Sequence, residues 1–272
     1  MALSNATILS RQCLSRLNLH SRCFHVSPVS GAEFGWFNKF INIPKPASNE
    51  QPQTGLLADI NAVYELQKED VQPGHMDDYL KSLEYFVHES RDKTPGYELV
   101  GSFRVLIGDQ DQVLNLWRFD KGYVNASMIQ SNMLQDSALV KLENDRLRCL
   151  RKRENQMLLA FSFWDTAVPA QRNGFYELRS YVLKTGSLLD WGNAWAKGIH
   201  CRHNRVAGYF SQVGRCYMVY HLWHYKDLQE RQDVRQSDWI NPGWDVILRD
   251  TLPLIREMRS RWMVGNSFSP IR

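Results

Sequence analysis

The 272-residue chain contains no run of eighteen apolar residues, which leaves no segment with the length and character of a membrane-spanning helix. It has only five cysteines, Cys13, Cys23, Cys149, Cys201 and Cys216, and no two form a CxxC pair. That scatter argues against a disulfide framework or a zinc knuckle and fits a thiol-reducing compartment. There is no P-loop, GxGxxG, GxSxG or HExxH, so the common phosphate cradle, nucleophile elbow and zinc helix are all missing. Acidic residues are absent before Glu33.

That last absence defines the N-terminus. Arg11, Arg16 and Arg22 stand among many serines, the composition of a mitochondrial transit peptide, which must be basic and amphipathic to enter a negative-inside matrix. Arg22 lies two residues before Phe24, so the expected transit peptide is residues 1–24, cut after Phe24. The plainer alternative is a basic tail. Without the three arginines, 30 basic residues face 29 acidic ones. The sequence pI of 8.8 therefore reports the leader, and no nucleic-acid partner is expected. Residues 25–57 carry Pro28, Pro44, Pro46 and Pro52 with Ser, Asn and Gln, the composition of a flexible linker. Its apolar stretch FGWFNKFINI, from Phe34 to Ile43, is expected to dock as a short helix.

What the chain does have is a repeat. Tyr64-Glu65-Leu66 and Gly74 recur as Tyr176-Glu177-Leu178 and Gly186, 112 residues on. Leu116-Trp117 and Gly108 recur as Leu222-Trp223 and Gly214 at an offset of 106, as do Arg153 and Met157 in Arg259 and Met263. Three blocks in one order indicate duplication, with repeats at residues 58–166 and 170–266. Each copy reads strand, helix, strand, strand, helix, strand. The first strands are Val63–Val71 and Phe175–Leu183. The hairpins are Glu98–Gly108 with Gln112–Phe119, and Val206–Gly214 with Arg215–Tyr225. The closing strands fall in NQMLLAFSFW and SRWMVG. Met76, Tyr79, Leu83 and Val87 form one apolar helix stripe, as do Leu188, Trp191, Trp195 and Ile199, which makes the aromatics there core residues first. Ser187 and Asp190 give a helix-start signal.

The stretch VYHLWHY places His221 and His224 on a strand, where a separation of three sends them to opposite faces. They cannot clasp one ion. His200 and His203 could share a helical face, but no third ligand lies near, and no metal or cofactor is expected. Asn115, Trp117, His221 and Trp223 occupy the same face in their respective copies. Both faces of these strands are largely apolar, so each sheet must be covered by helices on one side and by the other copy's sheet on the other. The fold expected is α+β: two tandem ferredoxin-like βαββαβ units forming a dimeric α/β-barrel, with helices outside.

The blocks YELRSYVLKTGSLLDWGNAWAKGI, GYFSQVG, HLWHYKDLQER and LLAFSFW resemble the NipSnap family of mitochondrial proteins, from about Ala58 to Val264. The resemblance implies the dimeric α/β-barrel fold, a mitochondrial location and an adaptor role in mitophagy. In that role the protein would sit in the matrix, be displayed at the outer surface on depolarisation, and bind autophagy receptors and ubiquitin-like autophagy modifiers. The C-terminal GNSFSPIR departs from the family's usual basic and apolar tail. A modifier-binding peptide needs an aromatic, two residues, then an aliphatic. Phe40 and Ile43 fit this in the linker, and Tyr225 and Leu228 fit it within a strand and its exit.

Other charged features have plain readings. Asp77 and Asp78 suit the positive end of a helix. The run holding Arg146, Arg148, Arg151, Lys152 and Arg153 could meet anionic lipid or nucleic acid; a solvated helix face balanced by Glu143, Asp145 and Glu154 is the simpler reading. Two functions follow. The first is a non-catalytic mitochondrial adaptor, expected to self-associate. The alternative is a small-ligand carrier or cofactor-free oxygenase-like enzyme with a pocket lined by Asn115, Trp117, His221 and Trp223.

Overall fold

A computed structural model describes residues 57–272. The processing residues Arg22 and Phe24, and the pair Phe40 and Ile43, lie outside the described residues. The first unit runs β1 (Ala62–Val71), α1 (Met76–Lys93), β2 (Tyr97–Ile107), β3 (Gln112–Asp120), α2 (Gly122–Gln135), α3 (Ser137–Leu147) and β4 (Leu150–Ala160). The second runs β5 (Phe175–Leu183), α4 (Leu188–Gly198), β6 (Arg205–Val213), β7 (Met218–Tyr225), α5 (Leu228–Asp238), α6 (Trp244–Thr251) and β8 (Ile255–Gly265). No described helix is long and apolar enough to cross a membrane.

The eight strands among the described residues pair antiparallel into one closed barrel, in the order β1-β3-β2-β8-β5-β7-β6-β4. Each unit contributes four neighbouring strands, and the units meet at two seams, β2–β8 and β4–β6. Closure removes the exposed edges that an open sheet would present. The two-sided apolar pattern of β3 and β7 is explained by this geometry. Leu114, Leu116, Tyr220 and Leu222 point into the barrel with Leu66, Leu158, Leu178 and Met263. Their neighbours point outward under helices: Val113, Trp117 and Phe119 beneath α1, α2 and α3, and Val219, Trp223 and Tyr225 beneath α4 and α6. The barrel centre is filled, with a gap of only about 20 Å³.

One end of the barrel is stoppered by the C-terminal tail. Ile271 is buried in the barrel-interior cluster, and Ser269 Oγ accepts from the backbone N–H of Ser102 at 2.9 Å. Asn266 Nδ2 donates to Ser102 Oγ at 2.7 Å. The tail that departs from the family pattern in sequence thus has a packing role.

Four sequence expectations change. The helical stretch before each closing strand is two helices, split in the first unit by Asp136, whose side chain caps α3 by accepting from the N–H groups of Ala138 and Leu139. Ser187 precedes α4 but does not cap it; its hydroxyl turns back to Lys184 O at 2.7 Å. The closing strands begin earlier, at Leu150 and Ile255, because their first residues are charged and an apolar-run reading passes over them. Finally, Tyr64 pairs with Leu158 and Tyr176 with Met263. Met263 therefore corresponds to Leu158, not Met157, and Arg259 to Glu154, not Arg153. A one-residue slip reverses every side chain's face: Met263 lies inside the barrel while Met157 packs on the outer cores.

Candidate functional site

Each unit has a space between its sheet and its helices, and the two spaces have diverged. In the first unit β1 places three polar side chains, Glu65, Gln67 and Glu69, at alternate positions on its helix-facing side. They would strand a hydrophobic layer without partners; here partners exist. Tyr79 of α1 donates a short hydrogen bond to Glu69, and Asn115 Nδ2 donates to Glu69 Oε2 at 3.1 Å and to Tyr79 Oη at 2.9 Å. Ser102 Oγ donates to Asn115 Oδ1 at 2.7 Å. Asn155 Nδ2 donates to Glu65 Oε1 at 2.6 Å. The result is a chain of polar contacts from the C-terminal tail through Ser102, Asn115 and Tyr79 to Glu69.

Arg146 of α3 completes it. Its guanidinium is buried, 3.5 Å from Glu69 and paired with Glu143, and lies 5.2 Å from the Phe86 ring centre. Burial disfavours its charge, but Glu69 and Glu143 more than offset that and hold it protonated. Its Nε and Nη1 nevertheless have no hydrogen-bond partner among the described residues. Beside it opens a cavity of about 630 Å³, walled by Phe86, Met133, Leu139 and Val140 and floored by Glu65 and Arg146. Burial pushes the Glu65 carboxyl up, against the lowering pull of its Asn155 and Gln67 hydrogen bonds and Arg146. The arrangement can hold an amphipathic small molecule: an apolar body against the helices and an acceptor facing Arg146.

In the second unit the same register positions carry different residues. Ser102 opposite Asn115 becomes Gly208 opposite His221. A Cβ at Gly208 would stand 2.5 Å from the Trp164 ring, so glycine there makes room for that indole. Trp164 lies 4.3 Å from His221 between ring centres, Trp195 4.6 Å and Tyr181 5.1 Å. His221 is wholly buried, and neither ring nitrogen has a hydrogen-bond partner among the described residues. Burial, reinforced by the Arg179 and Arg202 charges, drives its pKa well below the usual imidazole value, so it is neutral. Arg202 is held between Trp223 and Trp244, at 4.7 and 5.2 Å from their ring centres, and pairs with Asp238 at 2.7 Å.

The four residues expected to line one pocket therefore fall in two separate places. Asn115 and Trp117 stand one layer behind the first-unit cavity, Trp117 stacked on Tyr97 at 4.4 Å with its Nε1 donating to Gln67 Oε1 at 3.1 Å. His221 and Trp223 stand in the aromatic packing of the second. Tyr225 is fully buried, which removes Tyr225 and Leu228 as a docking peptide. His200 is in a 3-10 turn and His203 in the following loop, and no described group of three or more residues is arranged to hold a metal ion. The basic run is not one helix face. Arg146 turns inward, Arg148 pairs with Asp145 and Arg153 with Glu143, and Arg151 and Lys152 lie on β4. Glu65, Glu69, Tyr79 and Arg146 were missed as a group. The usable signal was the run of polar residues on the face of β1 that also carries Val63 and Val71.

These features define a two-unit α/β-barrel protein with one open and one aromatic-filled helix-side space. An anthrone oxidase-like protein of known structure has this architecture: TM-score 0.56 at 9% identity, over 79% of this chain and 95% of that one. The NIPSNAP family model matches residues 176–270. NipSnap homolog 2 of Danio rerio is 39% identical over 88% of this chain and 86% of its own length. The NipSnap protein of Drosophila melanogaster is 36% identical over 92% and 93%. The chain belongs to the NipSnap family.

Proposed function

We propose that this protein is a mitochondrial, non-catalytic adaptor in organelle quality control, which presents peptides and surfaces to autophagy receptors and ubiquitin-like autophagy modifiers. The basic, acid-free leader supports the location. The environment of His221 supports the non-catalytic reading: a neutral imidazole walled by Trp164, Trp195 and Tyr181, with no acid or nucleophile among the described residues on either nitrogen. With Tyr225 buried, the docking peptide is Phe40 to Ile43, adding as a strand to a partner's sheet edge. Self-association belongs to this reading as a way to multiply weak contacts; barrel closure does not require it. Pull-down from depolarised mitochondria should recover autophagy receptors with the wild-type chain and lose them with F40A/I43A. A wild-type chain that never recovers them overturns the adaptor reading.

The cavity of about 630 Å³ and the unpartnered Nε and Nη1 of Arg146 favour a second reading, a small-ligand carrier or oxygenase-like enzyme using the first-unit space. Native mass spectrometry and a visible spectrum of purified protein test it. A co-purifying ligand lost in R146M supports it; an empty protein unaffected by R146M contradicts it.

A further inference from the structure

The barrel end opposite the C-terminal stopper opens into a cavity of about 450 Å³. Its walls come from both units. The filled apolar centre of the barrel gives way there to a polar layer, with Lys68, Gln112, Ser180 and Arg261 on inward-facing strand positions. Arg151, Lys152, Arg215 and Arg259 stand nearer the rim. Against these six basic residues are four acids, Asp70, Asp109, Glu154 and Glu257.

Two cations sit deep in the cup: the side chain of Arg261 is 7% exposed and that of Lys68 13%, and Asp70 beside them accepts from Gln112 Nε2 at 2.7 Å. Their acidic partners are more accessible, Asp109 at 47% and Glu154 at 39%. Arg261 Nη2 meets Asp109 at 2.6 Å while its Nε donates to Gln112 Oε1 at 2.8 Å. Lys68 pairs with Glu154. Asp109 rides on the β2–β3 turn, so its carboxylate is a counter-ion that can swing away, whereas Arg261 is fixed on β8. Glu257 is shared between Arg259 and Arg215, at 2.7 and 3.2 Å, so the surplus of two positive charges in the cup corresponds to the deep pair, Arg261 and Lys68. Low-dielectric walls around such a cup focus its field on the interior.

We propose that this cup is a binding site for a small, multiply charged oxyanion, of phosphate or carboxylate chemistry, seated between Arg261 and Lys68 and displacing Asp109. Arg261 offers the planar fork that suits either oxyanion, and Lys68 a point charge from the opposite unit. The site is separate from the helix-side spaces and does not depend on the adaptor reading. It also gives Arg151 and Lys152 of the dense basic run a role.

Isothermal titration of the full chain with sodium tripolyphosphate, with citrate and with acetate tests the site. Saturable one-to-one binding of tripolyphosphate or citrate, with acetate failing at the same concentration, supports the proposal, and the tighter of the two identifies the chemistry. R261Q should weaken that binding by about tenfold or more. Because Arg261 also ties Gln112 to the barrel, K152Q/R259Q provides a second variant at the rim, where both side chains are exposed; it should weaken binding and flatten its dependence on salt. No binding of either polyanion overturns the proposal. Binding that both variants leave unchanged overturns it equally, because the ion would then sit elsewhere.

Discussion

Glu65 and Glu177 occupy one register position in the two units, each directly across the sheet from a tryptophan: Glu65 from Trp117, Glu177 from Trp223. Their carboxyls are nonetheless driven in opposite directions. Burial acts upward on both. At Glu65 it prevails. At Glu177 it is outweighed by Arg231, which donates through Nε at 2.9 Å and Nη2 at 2.8 Å, and by Ser260 at 2.6 Å, with the Arg179 charge adding to them. A duplicated residue has become a satisfied anion in one copy and a carboxylate disfavoured by burial in the other.

Opposite pH signatures follow from that difference. Glu177 is depressed, so its contribution is present above the unfolded glutamate value of about 4.3 and is lost as pH falls through its lower folded value. Glu65 is raised, so its ionised form costs stability in full above the raised folded value, and the cost shrinks as pH falls below that value and is gone below the unfolded value of about 4.3. At pH 7 E177Q should destabilise by about 2–3 kcal/mol, since it leaves Arg231 short of its partner, and should remove part of the acid-side loss. E65Q should be neutral or stabilising at pH 7. Urea unfolding of both variants from about pH 2.5 to 7.5 checks the pair, since the Glu177 window lies below the unfolded value of about 4.3. Equal destabilisation by both would contradict the divergence.

Arg202 is expected to behave as a packed, paired cation. R202A leaves Asp238 buried without its partner and should cost about 3–5 kcal/mol. R202K keeps the charge but loses the flat face lying against Trp223 and Trp244, so it should still cost about 1–2 kcal/mol. Full rescue by lysine, measured by chemical denaturation, would show that stacking contributes nothing.

Gly198 ends α4 where α6 crosses it, and an added Cβ would collide with Ile247 Cδ1. G198A should destabilise by about 1–3 kcal/mol through overpacking. Shortening the opposing side chain with I247V should return part of that, giving a coupling of about 0.5–1 kcal/mol or more in a double-mutant cycle. Additive losses would place the two residues out of contact.

The fold was readable because duplication repeats its own signal. Tyr64 and Tyr176, or Trp117 and Trp223, mark the same place twice, and a two-sided apolar strand needs two cover layers. The closing strands were read less well. Leu150 to Glu154 and Ile255 to Arg259 are charged because they rim a polar cup, so hydrophobic periodicity passes over them. The contacts of Asn115 with Glu69 and Tyr79, and of Glu69 with Arg146, join side chains from β1, α1, β3 and α3, and no spacing rule links them. The plugging of the His221 space depends on Trp164, which reaches β7 from the segment after β4. Only the seam between units brings it there.

Ile271 should act as the stopper of the barrel. I271A removes a buried aliphatic from the interior cluster and should cost about 2–5 kcal/mol. S269A should cost about 0.5–1.5 kcal/mol by leaving the N–H of Ser102 without an acceptor. Thermal and urea unfolding measure both; a silent I271A would mean the tail is not seated in the barrel.

The two copies within one chain close the barrel on each other. Arg104 on β2 and Val264 on β8 are register partners at the seam. With Cys13, Cys23 and Cys216 changed to serine, R104C/V264C should form a disulfide under mild oxidation. Non-reducing electrophoresis and peptide mapping should place that bond within a monomer at every protein concentration tested. A bond that forms only between two chains, trapping a covalent dimer, would contradict the claim.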